Sequence, residues 1–176
     1  MTQYSKRMVV VHWLTLALLV VVWHLGDSLG DATDDSKATL AGYLVHIAVG
    51  ISVLVLVLSQ LFFRRRDGTP PMLNDKPVFQ AAAKGVHHLL YTVLLLVPFS
   101  GIMTMITSTT GKALLAGDAN LLPKAHGYHG VFAHAVHGVL VNVLIGLAVV
   151  HLLGALKHQF VMKDGLIERM KLRRKD

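Results

Sequence analysis

At 176 residues, 53% hydrophobic and 15% charged, with a mean hydropathy of +0.56, the chain has the length of one domain and is too apolar for an ordinary soluble protein. Its net charge of +7 raises a nucleic-acid reading, against which the distribution of the cations along the chain speaks. Zero cysteines exclude disulfides, thiolate metal sites and any cofactor attached by thioether bonds.

Four charge-free runs define the elements, against the roughly 20 apolar residues that a bilayer-spanning helix needs. The first, Met8–Gly26, is 19 residues long and follows Lys6 and Arg7. Trp13 and Trp23 fall near its ends, where the amphipathic indole suits a membrane interface. A basic start and an apolar centre also describe a cleaved signal peptide. His12-Trp13 inside the run and the poor cleavage site at Gly26-Asp27-Ser28-Leu29 favour instead a retained helix over about 8–26. A Gly-, Asp- and Ser-rich loop comes next. The second run, Ala38–Phe63, is 26 residues long and stops on Arg64-Arg65-Arg66, predicting a helix over about 38–63. Asp67-Gly68-Thr69-Pro70-Pro71 forbids its continuation. The third, Gly85–Gly111, has 27 residues and predicts a helix over about 85–107, kinked at Pro98. A polar loop from Thr107 to about Tyr128 leads into the fourth run, Ala125–Leu156, 32 residues long, with a helix expected over about 130–158. The expected fold class is an all-α membrane protein, a four-transmembrane-helix bundle in one domain spanning 1–176.

Lysines and arginines orient this bundle. Lys6, Arg7, Arg64, Arg65, Arg66, Lys76, Lys84, Lys157, Lys163, Arg169, Lys171, Arg173, Arg174 and Lys175 fall on one side, and only Lys37, Lys112 and Lys124 on the other, fourteen against three. The positive-inside rule makes both termini cytoplasmic. The outer segments carry Asp27, Asp31, Asp34, Asp35 and Asp118 against three lysines, so the net charge follows from topology. The basic tail then meets anionic lipid headgroups, and no nucleic-acid partner is expected.

No Asp, Glu, Lys or Arg lies inside a predicted span; histidine is the ionisable residue there. Intramembrane ionisable residues are costly and usually functional, and the absence of buried carboxylates argues against an ion-coupled transporter. His137 and His151 are fourteen residues apart, about 3.9 helical turns and about 21 Å of rise, so they project from nearly one face at two depths of a bilayer core about 30 Å thick. By depth, His12 shares the inner level with His151, and His46 the outer level with His137. Two levels of paired imidazoles are the layout for two stacked bis-histidine haems, held non-covalently; two axial histidines leave no open iron position, which suits electron transfer. His87 or His88 competes with His12 for the inner iron, and His134 with His137 for the outer one. His24 lies about 120° round the helix from His12; His126 and His129 read as loop residues. Gly50, Gly138 and Gly154 near the ligands leave room for a porphyrin plane or for close helix contact.

With these features the chain resembles the bacterial cytochrome b561 family. The resemblance is carried by Tyr4-Ser5 leading to His12-Trp13, His46 with Gly50, Thr69-Pro70-Pro71, and His87 with Tyr91, Pro98 and Gly101. His137 with His151, and the tail Lys163-Asp164-Gly165-Leu166-Ile167-Glu168-Arg169-Met170, complete it. It covers nearly the full length apart from the two outer loops. It implies that His12, His46, His137 and His151 hold two haem b groups, taking His12 over His87, and that electrons exchange with ubiquinone. Some members are understood to oxidise superoxide at the outer face. Gln60 stands where the family usually has an arginine, and Asp31, Asp34 and Asp35 are an awkward front for an anion.

The resulting expectation is a dihaem cytochrome of the bacterial inner membrane, passing single electrons between an outer donor, superoxide or a periplasmic redox partner, and ubiquinone in the lipid. Lys112, Lys124, His126 and His129 are the outer candidates for attracting superoxide. His158, seven residues beyond His151, is the candidate for hydrogen-bonding a quinone oxygen. The alternative is a cytochrome b anchor subunit that passes electrons between a docked redox protein and quinone.

Overall fold

The computed structural model describes residues 3–30, 40–73, 76–122 and 131–172. They form five α-helices: α1 (Lys6–Gly30), α2 (Leu40–Asp67), α3 (Pro77–Thr107), α4 (Thr110–Ala116) and α5 (Phe132–Leu156). The last runs on through a wider π-helical turn, Lys157–Met162. Four of these, α1, α2, α3 and α5 with its extension, are long and apolar enough to cross a membrane. Among the described residues there is no strand. Lys37, Asp31, Asp34, Asp35, Lys124, His126, His129, Arg173, Arg174 and Lys175 lie outside the described residues.

Beside the basic segments the helices outrun the apolar stretches that predict them. Helical backbone satisfies its own hydrogen bonds, and a charged side chain at an interface reaches water from within the helix. So α1 includes Lys6 and Arg7, and α2 includes Arg64 to Asp67. The start of α3 is eight residues before Gly85, because Pro77 occupies the first helical position, where its missing N–H costs nothing. Pro98 lies within α3, and the helix continues past it. The stretch after Thr107 is not wholly loop: α4 folds back with Thr110 and Ala113 buried, and ends on Gly117 at a left-handed φ of 66°.

One end of the bundle gathers the basic segments. The Arg7 guanidinium pairs with the Asp67 carboxylate, tying the start of α1 to the end of α2. The C-terminal segment folds across this end: the Arg169 carbonyl accepts from Tyr4 N–H (3.2 Å), the Glu168 carbonyl from Gln3 Nε2 (3.2 Å) and the Met170 carbonyl from the Trp13 indole (2.9 Å). The Arg169 guanidinium reaches the Pro71 carbonyl. This is called the basic end below.

Antiparallel neighbours pair, α1 along α2 and α3 along α5, while α2 and α3 meet over a shorter stretch. The buried cluster Val53, Val57, Val93, Leu94 and Leu144 sits at mid-height. Outward faces carry exposed apolar side chains such as Val21, Leu44, Val55, Leu89, Val139 and Leu153, which suits lipid.

Candidate functional site

Between the two helix pairs runs a cavity of about 2580 Å³. That is well beyond the ~300–1,000 Å³ of a usual small-molecule pocket. Its lining follows a seven-residue step on every spanning helix: His12, Leu19 and Gly26 on α1; His46, Val53 and Gln60 on α2; His87, Leu94 and Gly101 on α3; His137, Leu144 and His151 on α5. Seven residues make nearly two turns, drifting by about 20°, and rise about 10.5 Å. Antiparallel helices therefore stack these residues in three layers. Leu19, Val53, Leu94 and Leu144 form the aliphatic middle layer.

The layer at the basic end holds His12, His87 and His151, with Gln60 beside them on α2. The His12 and His151 rings are 6.3 Å apart between centres, at 67°. His87 is nearer, 5.2 Å from His151 at 81°, and its Nδ1 donates to the Ala83 carbonyl (2.6 Å). His88 turns outward, bonded to the Lys84 carbonyl (2.7 Å). Gln60, only 5% exposed, donates from Nε2 to Thr15 Oγ1 (2.7 Å), and that hydroxyl donates to the Val11 carbonyl (2.7 Å).

The layer at the opposite end holds His46 and His137, with ring centres 6.4 Å apart at 77°. Glycines on the other two helices seat them. A Cβ on Gly26 would stand 3.0 Å from His46 Cε1, and one on Gly101 would stand 3.2 Å from His137 Cε1. The His137 Nδ1 lies 3.0 Å from both the Val97 carbonyl and Ser100 Oγ. Donation from Nδ1–H to that carbonyl fixes the tautomer and leaves Nε2 with its lone pair. His46 Nδ1 is buried and faces the Val22 carbonyl without closing a full hydrogen bond. His134 lines the cavity one turn nearer this rim than His137.

These pairs fit an iron between them. Imidazole nitrogens sit about 2.0–2.1 Å from a first-row metal ion and about 1.2 Å from the ring centre, so two rings opposed on one ion have centres about 6.4 Å apart. The pairs at 6.3 and 6.4 Å meet that requirement, and His87–His151 at 5.2 Å is too close for it. Among the described residues no three His, Asp or Glu converge to hold a bare metal ion, and a two-histidine couple matches the donor set of a macrocycle that brings its own equatorial nitrogens. Open space beside Gly138 and Gly154, where an added Cβ would meet nothing within 4 Å, leaves room for one.

Of the other residues singled out from sequence, His158 lines the cavity at the basic end, and its Nδ1 lies 2.5 Å from Asp164 Oδ2. His24 stacks on Trp23 away from the pairs. Lys112 is exposed on α4 and does not line the cavity. Sequence reasoning missed the seats at Gly26 and Gly101, the Gln60–Thr15 bond and Asp164. The seven-residue step, present on all four spans, was the signal for the first three of these residues.

The chain is similar to known proteins over nearly its whole length. The prokaryotic cytochrome b561 family matches residues 3–172. The chain is 27% identical over 176 residues to cytochrome b561 homolog 1 of Escherichia coli, covering 99% of this chain and 100% of that protein. It is 27% identical over 177 residues to the probable superoxide oxidase CybB of Yersinia pestis, covering 96% and 95%. It is 31% identical over 171 residues to cytochrome b562 of Cereibacter sphaeroides, covering 95% and 94%.

Proposed function

We propose, starting from the fact that this chain belongs to the prokaryotic cytochrome b561 family, that it is a one-electron wire carrying two haem b groups across the bacterial inner membrane to ubiquinone. That it is a multi-pass membrane b-type cytochrome of electron transfer follows from the family and its four spanning helices. The rest is our reading. The observation that carries it is the pair of histidine couples at 6.3 and 6.4 Å, stacked on either side of an aliphatic layer.

In this reading His12 and His151 hold the haem at the basic end, and His46 and His137 the other. Bound haem supplies a reversible one-electron centre at each level; the protein sets its potential through axial ligands, burial and nearby polar groups. Gly26 and Gly101 seat the His46 and His137 rings, and the Val97 carbonyl orients His137. The aliphatic middle layer separates the two levels. The fourteen-against-three charge split supports placing the basic end in the cytoplasm. Electrons then enter from the periplasmic side. Superoxide is the favoured donor, since one similar protein is named a probable superoxide oxidase. Ubiquinone accepts at the basic end beside His158. The balanced reaction oxidises two superoxide ions to two O₂ while one quinone takes two electrons and two protons.

The test is the purified full-length protein in lipid nanodiscs. We expect two haem b per chain, paired b-type bands in the reduced-minus-oxidised spectrum, and ubiquinone reduction that depends on added superoxide. One haem per chain would overturn the two-level assignment. Reduction seen only with a docked redox protein would replace the autonomous reading with that of an anchor subunit.

A further inference from the structure

Quinone reduction consumes protons as well as electrons, and nothing in the two histidine couples supplies them. The geometry points to His158 and Asp164 as the proton-delivering pair for a quinone bound at the basic-end mouth of the cavity; this rests on the quinone reading above.

The pairing is built by the way the last helix ends. In a regular α-helix a residue meets partners three and four positions away, not six. Here α5 widens into the π-helical turn Lys157–Met162 and stops at Lys163, which takes the left-handed conformation at φ 52°. The chain doubles back, and Asp164 N–H reaches the His158 carbonyl (3.4 Å). Its carboxylate is held on both oxygens: Oδ1 accepts from Leu166 N–H (3.2 Å), and Oδ2 faces His158 Nδ1 (2.5 Å). A π-turn and a left-handed non-glycine residue are local departures that a solvated tail has no need of.

The pair also has a direction. His158 lines the cavity, whereas Asp164 does not. With Nδ1 turned to the carboxylate, Nε2 is the nitrogen left for a cavity ligand. Asp164 stands behind, holding the ring's orientation, as a buttressing carboxylate does for a general acid. Both side chains stay partly accessible, at 24% and 20%, so protons can be restored from the aqueous side. Leu166, Ile167, Met170, Met72 and Phe79 also line this end of the cavity, together with the cations Arg64, Lys157 and Arg169, so that a quinone ring would find apolar contact there. In the step, quinone gains two electrons, one at a time, from two superoxide ions, which become two O₂. For each oxygen protonated, the His158 Nε2–H bond breaks and an O–H bond forms, after which His158 takes a proton from water.

The experiment uses the full-length holoprotein in nanodiscs, with His158→Phe, Asp164→Asn and Asp164→Glu. Haem content and spectra should match wild type in all three. After chemical reduction of the haems, reoxidation by a short-chain ubiquinone should slow about 100-fold in His158→Phe, the scale of general-acid catalysis. It should slow about 10-fold in Asp164→Asn, chiefly in kcat and with a raised solvent deuterium isotope effect, and recover in Asp164→Glu. Reoxidation within twofold of wild type in both His158→Phe and Asp164→Asn would overturn the proposal and leave the quinone reading standing. An Asp164→Asn loss without a changed isotope effect would also overturn it, leaving a purely structural role. Failure of wild type itself to reoxidise with quinone would sink the quinone reading and this pair with it.

Discussion

The two ends of the cavity solve the same seating problem differently. At the end away from the termini, two helices contribute histidine and the other two contribute glycine, so each ring rests against bare backbone. At the basic end no position in the layer is a glycine: His12, Gln60, His87 and His151 occupy it. Placement by backbone gives a rigid, apolar seat. Placement among side chains gives a polar seat with more freedom, and polar groups near a haem are one of the levers on its potential. The end designed for holding its couple is thus distinct from the end equipped for chemistry, where the cavity also reaches His158.

The largest expected effect separates the two ends outright. His46→Ala or His137→Ala should remove one haem, taking the stoichiometry from two per chain to one and leaving the other band in place. His151→Ala and His12→Ala should remove the complementary band. His87→Ala should retain both haems, because the His87–His151 separation of 5.2 Å leaves no room for an iron between them. Haem extraction and low-temperature difference spectra read all five variants. Loss of a haem in His87→Ala with retention in His12→Ala would reverse the assignment at the basic end.

A smaller effect tests the glycine seats. Gly26→Val and Gly101→Val place side-chain atoms against the His46 and His137 rings, where even a Cβ stands at 3.0 and 3.2 Å. Overpacking costs about 1–3 kcal/mol, so affinity for a haem held by His46 and His137 should fall about 5- to 150-fold while that at the basic end holds. Gly138→Ala, facing open space in the cavity-lining structure, should perturb a bound porphyrin without displacing a histidine. Haem titration of apoprotein distinguishes these outcomes.

Much of this was legible in the sequence because the bilayer imposes it. Charge-free length marks the four spans, and depth counting puts His12 level with His151 and His46 level with His137, though only the family resemblance sets aside His87 as a rival; the rings of the two couples lie 6.3 and 6.4 Å apart. Helix ends were less legible: a solvated charge such as Lys84 ends an apolar run without ending a helix, so α3 starts at Pro77. The compact turn α4 hid in a polar stretch because its burial rests on only Thr110 and Ala113. Gly26 and Gly101 were legible in principle, through the seven-residue step, but a glycine's role depends on what the neighbouring helix brings against it. Asp164 was not legible, since its approach to His158 depends on a widened final turn that sequence periodicity does not announce.

The finest distinction concerns how Gln60 is held beside the basic-end couple. Its Nε2 donates to Thr15 Oγ1, and that hydroxyl passes its own proton to the Val11 carbonyl. The two deletions are therefore unequal. Thr15→Val removes the acceptor and strands a buried amide donor, whereas Gln60→Leu leaves the threonine still satisfied by its own helix. Interhelical hydrogen bonds in bilayers contribute about 0.6 kcal/mol on average and about 1.7 at most. Thr15→Val should approach the upper part of that range and Gln60→Leu the lower, measured by reversible unfolding in mixed micelles. The potential of the basic-end haem should move in Gln60→Leu while that of the other stays fixed, because the amide lies in one layer only. Equal costs for the two variants, or a shift of both potentials, would mean that the amide acts through the bundle as a whole and not on the layer where it sits.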